Sequence, residues 1–382
     1  VVFAADKRTI YTVVREQAGN RVYDATMHSL PENEGGNKLA AYVRGGGKEN
    51  FLVNSSFEAT EGITGLTRSQ EEALLGEYSA KLTSNGKITF RAPLKAGRHV
   101  FSAYVKLKDV ILTSGKTRGG AFVEIRDAAD ALVARSEYYV GTSLESVGGG
   151  WYRIFAAFDA QASQTYKLSI VLENATGKLY ADCAQLEQNT VPTEYNAIPF
   201  GGADSAAGIN PWSANTAAVT SQATDGSHSW QLGAGKTALY EIPVNAPVSS
   251  SFIISGWSKT TSAVSAGYGI DVILKYSDNT EETVPLRYDG THPGWQYQCY
   301  TVTSSKDNAA LKITSVKVAL VNETGVPAYY DDVFISMALG DENENGQPSE
   351  NETEYSTGLS FVSNGDGTCF IGERKNCTDT VI

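Results

Sequence analysis

The chain answers itself at the spacing of a whole domain, and this constrains its fold more than any other feature. GEYSAKL at 76–82 corresponds to GSHSWQL at 226–232, and SAYVK at 102–106 to SGWSK at 255–259. GWYRIFAAF at 150–158 corresponds to GWQYQCYTV at 294–302, and NATGKLYAD at 174–182 to NETGVPAYYD at 322–331. The pairs run in one order at offsets of about 150, 153, 144 and 149 residues, the drift expected of loop insertions on a duplicated unit. Two homologous modules therefore follow one another, over 51–188 and 196–340.

Within each module, alternating apolar and polar residues recur in short runs between Gly, Asn, Asp and Pro turns, the pattern of a sandwich or barrel. Charged residues make up 19%, and the 37 glycines and 20 tyrosines suit short strands joined by tight turns. Glu71–Leu75 could form a single helical turn. The expected fold is all-β: two tandem antiparallel β-sandwich (jelly-roll) domains with short β-rich flanking segments. The first flank, 1–50, carries a hairpin signal in Thr9–Arg15 and Arg21–Met27 around Ala18-Gly19-Asn20. An acidic stretch, 341–356, reads as a linker. Residues 357–382 resume alternation around Asn364-Gly365-Asp366-Gly367 and read as the start of a further β-rich module.

Several function classes lack their raw materials. The net charge is −12 and spread out, whereas nucleic-acid binders need a clustered basic footprint, so no nucleic acid is expected. No stretch approaches the roughly 20 apolar residues of a membrane helix, so no membrane insertion is expected. His28, His99, His228 and His292 have neither metal-ligand spacing nor a nucleophile elbow nearby, and the GGG runs at 45–47 and 148–150 precede no helix. The chain reads as a non-enzyme. Cys183 and Cys299 fall in strand-like runs and read as buried thiols. Cys369 and Cys377 are candidates for a disulfide in an oxidising compartment. The opening VVFAAD reads as the start of a fragment, expected to be monomeric.

LVNSSFE at 52–58, GEYSAKL, HVFSAYVKL, GGGWYRIFAAF and LYADCAQLE together resemble carbohydrate-binding modules of the galactose-binding-like jelly-roll fold. Such modules open on an N-x-x-F-E strand and close on an aromatic–Asp–Asp–hydrophobic strand. The second copy keeps the closing Tyr330-Asp331-Asp332-Val333, while its opening is worn down to PFGGAD at 199–204. Residues 19–24 are similar to a piece of the tyrosine–aspartate repeats of large bacterial surface proteins. GDGTCFIGERKNCTDTVI is similar to the lead-in of surface leucine-rich repeats. The resemblance implies a structural Ca²⁺ held by the opening Glu, the first Asp of the closing strand and backbone carbonyls. In module 1 these are Glu58 and Asp182, with Cys183 in place of the second Asp. In module 2 Asp331 matches, and Asp204 is the nearest stand-in for the absent Glu, so calcium is expected in module 1 and not counted on in module 2.

Alternation also suggests where a sugar would lie. Phe101, Ala103 and Val105 form one apolar set, leaving Ser102, Tyr104 and Lys106 on the other face; Ser255, Trp257 and Lys259 repeat this in module 2. A flat ring between hydrogen-bonding groups is what a pyranose needs. Adjoining strands would add Phe122, Glu124 and Arg126, with Glu173, in module 1, and Asp271 and Lys275 in module 2. The competing reading is that these rings cover neighbouring strands and the charges pair across the sheet. Trp151 and Trp295 read as core or turn-packing residues. Trp212 and Trp230 have no counterpart in module 1, and Tyr138, Tyr139, Tyr268 and Tyr288 mark loop tips as an alternative site. The expected function is glycan binding in a secreted or surface-anchored bacterial protein, serving adhesion or substrate targeting. The alternatives are a structural spacer without glycan binding, or the non-catalytic part of a glycoside hydrolase.

Overall fold

The computed structural model describes residues 49–337, apart from 141–148, 163, 191, 205–207 and 225, together with 2–3, 10–11, 359–363 and 369–373. Among these residues there is no helix. The strands in chain order are β1 (Val2–Phe3), β2 (Ile10–Tyr11), β3 (Arg68–Ser69), β4 (Ser79–Leu82), β5 (Gly86–Leu94) and β6 (Gly97–Leu112). Then come β7 (Gly120–Arg126), β8 (Leu132–Arg135), β9 (Trp151–Ala160), β10 (Gln164–Glu173) and β11 (Ala175–Glu187). The second half holds β12 (Thr216–Val219), β13 (Ser229–Leu232), β14 (Lys236–Pro247), β15 (Ser251–Thr260) and β16 (Tyr268–Tyr276). It continues with β17 (Glu281–Arg287), β18 (Gln296–Thr303), β19 (Lys312–Asn322), β20 (Ala328–Met337), β21 (Leu359–Ser363) and β22 (Cys369–Glu373).

Each module is a pair of antiparallel sheets with the same order. In module 1 the four-stranded sheet runs β5-β10-β7-β8 and the five-stranded sheet β3-β4-β11-β6-β9. In module 2 the corresponding sheets run β14-β19-β16-β17 and β12-β13-β20-β15-β18. The alternation explains the layers. In β10, Tyr166, Leu168, Ile170 and Leu172 point inward and meet Ile88, Phe90, Ala92 and Leu94 of β5 in one buried cluster. In β16, Tyr268, Ile270, Val272, Leu274 and Tyr276 do the same against Val316, Val318 and Leu320 of β19. Each such side chain contributes about 1.5–3 kcal/mol by leaving water, which is why the two apolar sets fix the registers.

One local expectation changes. Glu71–Leu75 forms bends instead of a helical turn, because the amides of Leu74 and Leu75 donate to the Asp182 carboxylate and not to a carbonyl in their own segment. Ile10–Tyr11 pairs with Val2–Phe3, while the expected partner run 21–27 lies outside the described residues. So do the 341–356 linker and Cys377, and with Cys377 the candidate disulfide to Cys369.

The duplication extends to side-chain detail at the junction. Asn50 and Asn196 are both buried. Asn50 Oδ1 accepts from the amides of Leu52 and Leu186, and Asn196 Oδ1 from those of Ile198 and Ile335. Their amide groups donate to Ala184 O and Val333 O respectively. The residue before each asparagine reaches into the other module. Tyr195 bonds Ser55 Oγ of module 1 at 2.8 Å, and Glu49 Oε1 accepts from the amides of Gly202 and Asp204 of module 2. Lys95 Nζ adds an ion pair to Asp204 at 2.8 Å.

Candidate functional site

The residues proposed for sugar stacking do not share a surface. Tyr104 and Lys106 lie on β6 of the five-stranded sheet, whereas Phe122, Glu124 and Arg126 lie on β7 of the four-stranded sheet. Both sets point away from the core, on opposite sides of the sandwich. Trp257 and Lys259 on β15 are separated from Asp271 and Lys275 on β16 in the same way.

The outer face of each five-stranded sheet is covered. Asp182, the register partner of Tyr104, pins the Leu74–Leu75 segment, and Leu75 packs with Tyr104, Trp151 and Tyr180. Tyr104 is left 6% exposed with the Arg153 guanidinium 5.0 Å from its ring, and Lys106 Nζ is bonded to Glu72 at 2.7 Å. In module 2, Trp257 is 8% exposed, and Lys259 bonds Gln222 at 2.7 Å while standing 5.7 Å from the Trp295 ring. Neither ring offers a face to a pyranose. Trp151, read as a core or turn-packing residue, pairs with Lys106 and so sits buried on this outer face, in the cluster with Leu75 and Tyr104. Trp212 and Trp230 join the module 2 core, Trp230 donating to Phe200 O. Tyr268 and Tyr288, expected at loop tips, are buried and stacked at 5.6 Å.

The acidic residues form turn-holding pairs that repeat between modules. Glu58 Oε1 accepts from the amides of Glu77 and Tyr78, while Asp182 takes Leu74 and Leu75 on Oδ2 and Cys183 on Oδ1. Asp204 accepts from Ser227 as Glu58 does from Glu77, so it occupies the place of the missing opening Glu. Asp331 takes Thr224 on Oδ2 and Asp332 on Oδ1, as Asp182 does in module 1. Burial pushes the Asp182 carboxyl up to about 8 against the pull of its three amide donors, and it pushes Glu58 up as well. As calcium ligands, Glu58 and Asp182 supply the right hard oxygens, from two parts of the chain that both hold the 74–78 segment. They fall short of the roughly six to eight oxygens calcium takes unless carbonyls complete the shell. Among the described residues no three His, Cys, Asp or Glu side chains group as a metal site.

The outer face of the four-stranded sheet of module 1 is different. Register places Thr89, Ser169, Glu124 and Arg135 in one row across β5, β10, β7 and β8. The next row holds Lys87, Val171 and Phe122. Thr89 and Ser169 share a 2.9 Å hydroxyl hydrogen bond, and Arg126 clasps both oxygens of Glu124 at 3.1 and 3.2 Å. Beyond β7, a bridge between Ala121 and Tyr139 brings in Tyr138, whose ring meets Phe122 edge-on at 4.8 Å. Arg135 lies 4.9 Å over the Tyr138 ring and donates to its hydroxyl at 2.8 Å. A groove of about 480 Å³ opens here, lined by Arg118, Arg135, Glu137, Tyr138, Leu112 and Val140. Phe122, Glu124 and Arg126 thus belong to a real cluster, joined by Tyr138. Glu173 is exposed beyond it, paired with Gly120. The sequence reading missed Arg135, Thr89 and Ser169.

The same face of module 2 carries no such cluster. Asp271 is held by Arg287, Ile273 lies between Lys317 and Thr283, and Lys275 lies between Ser315 and Glu281. No aromatic side chain lies in these rows.

A cavity of about 520 Å³ separates the modules, with Phe51, Phe200 and Asp204 in its walls. At its rim Ser227, His228 and Asp204 come together, but not as a catalytic triad. Ser227 Oγ and Asp204 Oδ1 both approach His228 Nδ1, at 2.7 and 3.0 Å, whereas a relay needs them on opposite ring nitrogens. His99 is buried with Nδ1 on Gly97 O, and burial pushes its pKa down. Among the described residues no helix is long and apolar enough to cross a membrane.

No family model matches the chain. No curated protein matches it either. Solved structures similar to it include a family 16 carbohydrate-binding module, at 21% identity over 37% of this chain and 99% of that one, with a TM-score of 0.31. Another is the tandem family 22 pair from the N-terminus of Paenibacillus barcinonensis Xyn10C, at 16% identity over 76% of this chain and 98% of that one, with a TM-score of 0.27. A family 61 carbohydrate-binding module in complex with β-1,4-galactotriose matches at 16% identity over 37% of this chain and 98% of that one, with a TM-score of 0.25. What the chain is similar to, in each of these three, is a carbohydrate-binding module.

Proposed function

We propose that the chain binds carbohydrate through the outer face of the four-stranded sheet of module 1. The observation that carries this is the cluster of Phe122, Tyr138, Arg135 and Glu124 on one face. It offers a half-buried aromatic edge, an apolar floor at Val171 and oriented polar groups within a few ångströms. Sugar recognition combines these elements, since a pyranose has an apolar C–H face and a rim of hydroxyls. The role is non-catalytic and suits a secreted or surface-held bacterial protein. Its use there would be adhesion or targeting to a polysaccharide, and the alternative of a non-catalytic part of a glycoside hydrolase uses the same face. A glycan array probed with the full chain and with Tyr138→Ala tests the proposal. Signal from the parent that falls in the variant supports it, and a blank array from the parent overturns it.

Module 2 favours the spacer reading. Its corresponding face has an Asp271–Arg287 pair and no aromatic ring where module 1 has Phe122 and Glu124. Calcium in module 1 is part of the same proposal. Glu58 and Asp182 would hold it with backbone carbonyls, and its charge would keep the half-buried Glu58 and the buried Asp182 ionised. A calcium-dependent rise in melting temperature that Glu58→Gln abolishes is the expected result.

A further inference from the structure

We infer that the groove at the β7–β8 end of the module 1 face selects acidic sugars, with a uronate carboxylate seated between Arg118 and Arg135. This rests on the glycan-binding reading above and names its ligand class. The two guanidinium groups come from different segments, joined by the Ala121–Tyr139 bridge, whose two amide hydrogen bonds measure 2.9 and 2.8 Å. Gly120, at φ +127°, lets the Arg118 turn lie against the Tyr139 carbonyl, with which any Cβ would collide. The groove is therefore built by backbone pairing, not by the chance approach of two long side chains.

Its hydrogen-bonding capacity points to an anion. Arginine offers five donors and no acceptor, whereas a sugar hydroxyl is satisfied only by both. A carboxylate is acceptor-only and matches the planar guanidinium fork. Arg126 is tied to Glu124, and Lys167 to Asp130. Arg118 and Arg135 have no ion pair among the described residues, and Arg135 is held in place by its stack and hydrogen bond to Tyr138, which lowers the ordering cost of binding. Among the described residues Glu137 is the one carboxylate lining the groove, against two arginines, on a chain whose net charge is −12. Leu112 and Val140, 36% and 43% exposed, supply the apolar wall for the C–H face of the ring.

The test uses the full chain and three probes: an oligogalacturonate, its methyl ester with the same backbone but no charge, and a neutral xylo-oligosaccharide. The oligogalacturonate should bind at least about tenfold more tightly than its ester, the scale of one charge-assisted contact. Arg118→Ala and Arg135→Ala should each erase most of that preference, Glu137→Gln should increase it, and added salt should reduce it. Arg118→Ala is an exposed change, so its melting temperature should stay with the parent's. Equal binding of acid and ester, or tighter binding of the neutral xylo-oligosaccharide, overturns the inference while leaving glycan binding standing. If none of the three probes binds and the glycan array is blank, both fail together.

Discussion

Asn50 and Asn196, 146 residues apart in the chain, meet across the junction: the Asn50 side-chain amide donates to the Asn196 carbonyl at 3.2 Å. Each also ties the opening of its own module to its closing strand, through β11 in one case and β20 in the other. Truncating either leaves buried amides and carbonyls without the partner that satisfies them. Asn50→Ala and Asn196→Ala should each cost about 3 kcal/mol of stability, measured by urea unfolding. Unchanged midpoints would show that the backbone finds other partners.

Tyr104 and Trp257 provide a second test, because their burial makes them structural. Tyr104→Ala and Trp257→Ala should cost about 3–5 kcal/mol of stability, as for large core truncations. Glycan binding by the folded fraction should stay at the parent level. A loss of binding with normal melting would return the site to the five-stranded faces.

Gly76 and Gly226 occupy equivalent turns at φ +79° and +62°, and a Cβ on either would collide with a carboxylate oxygen, of Glu58 or of Asp204. Gly76→Ala and Gly226→Ala should therefore each destabilise by about 1–3 kcal/mol, from left-handed strain and a displaced acid. Calorimetry on the two variants checks this, and a shift in neither would mean the turns relax freely.

Stability should also depend on pH in an unusual direction. Glu49 is pushed up to about 8 by burial and by the neighbouring Asp204 and Asp332, and Asp182 to about 8 mainly by burial. With folded values above the ordinary carboxylate range, the folded chain holds the extra protons. This contribution is complete below about pH 4 and is lost as pH rises through about 8. In metal-free buffer the melting temperature should fall across that window, and Asp182→Asn or Glu49→Gln should flatten the slope. Calcium bound at Glu58 and Asp182 would reduce the fall at the alkaline end. A melting temperature that instead climbs from pH 4 to pH 8 without calcium would show both acids ionised in the fold.

The duplication, the strands and the inward-facing sets were legible because period-two alternation is a local signal that burial enforces. The sheet to which each strand belongs was not. Tyr104 and Phe122 sit on consecutive strands, and a sandwich sends consecutive strands to opposite sheets as readily as to neighbouring ones. Nor did alternation reveal that Leu74 and Leu75 would be drawn over Tyr104, since that depends on Asp182, over a hundred residues away. Arg135 carried only a weak signal, as an outward position in the short run Leu132–Arg135. Asn50 and Asn196 precede two openings whose sequences otherwise diverge, NFLVNSSFE and NAIPFGGAD, and only their identical hydrogen bonding exposes the match.

The crosswise placement of Glu49 and Tyr195 decides how tension would travel through the chain. Residue 50 is hydrogen-bonded to Phe200, Phe51 to Leu186 and Ala197 to Ile335, so the start of module 1, the crossing and the final strand all gather at one waist. A pull applied at residues 49 and 337 would load those main-chain bonds together with the β20–β15 ladder, where Met337 pairs with Phe252, and leave module 1 hanging to the side of that path. The module 1 face proposed to bind glycan would keep its shape under drag until the waist gave way.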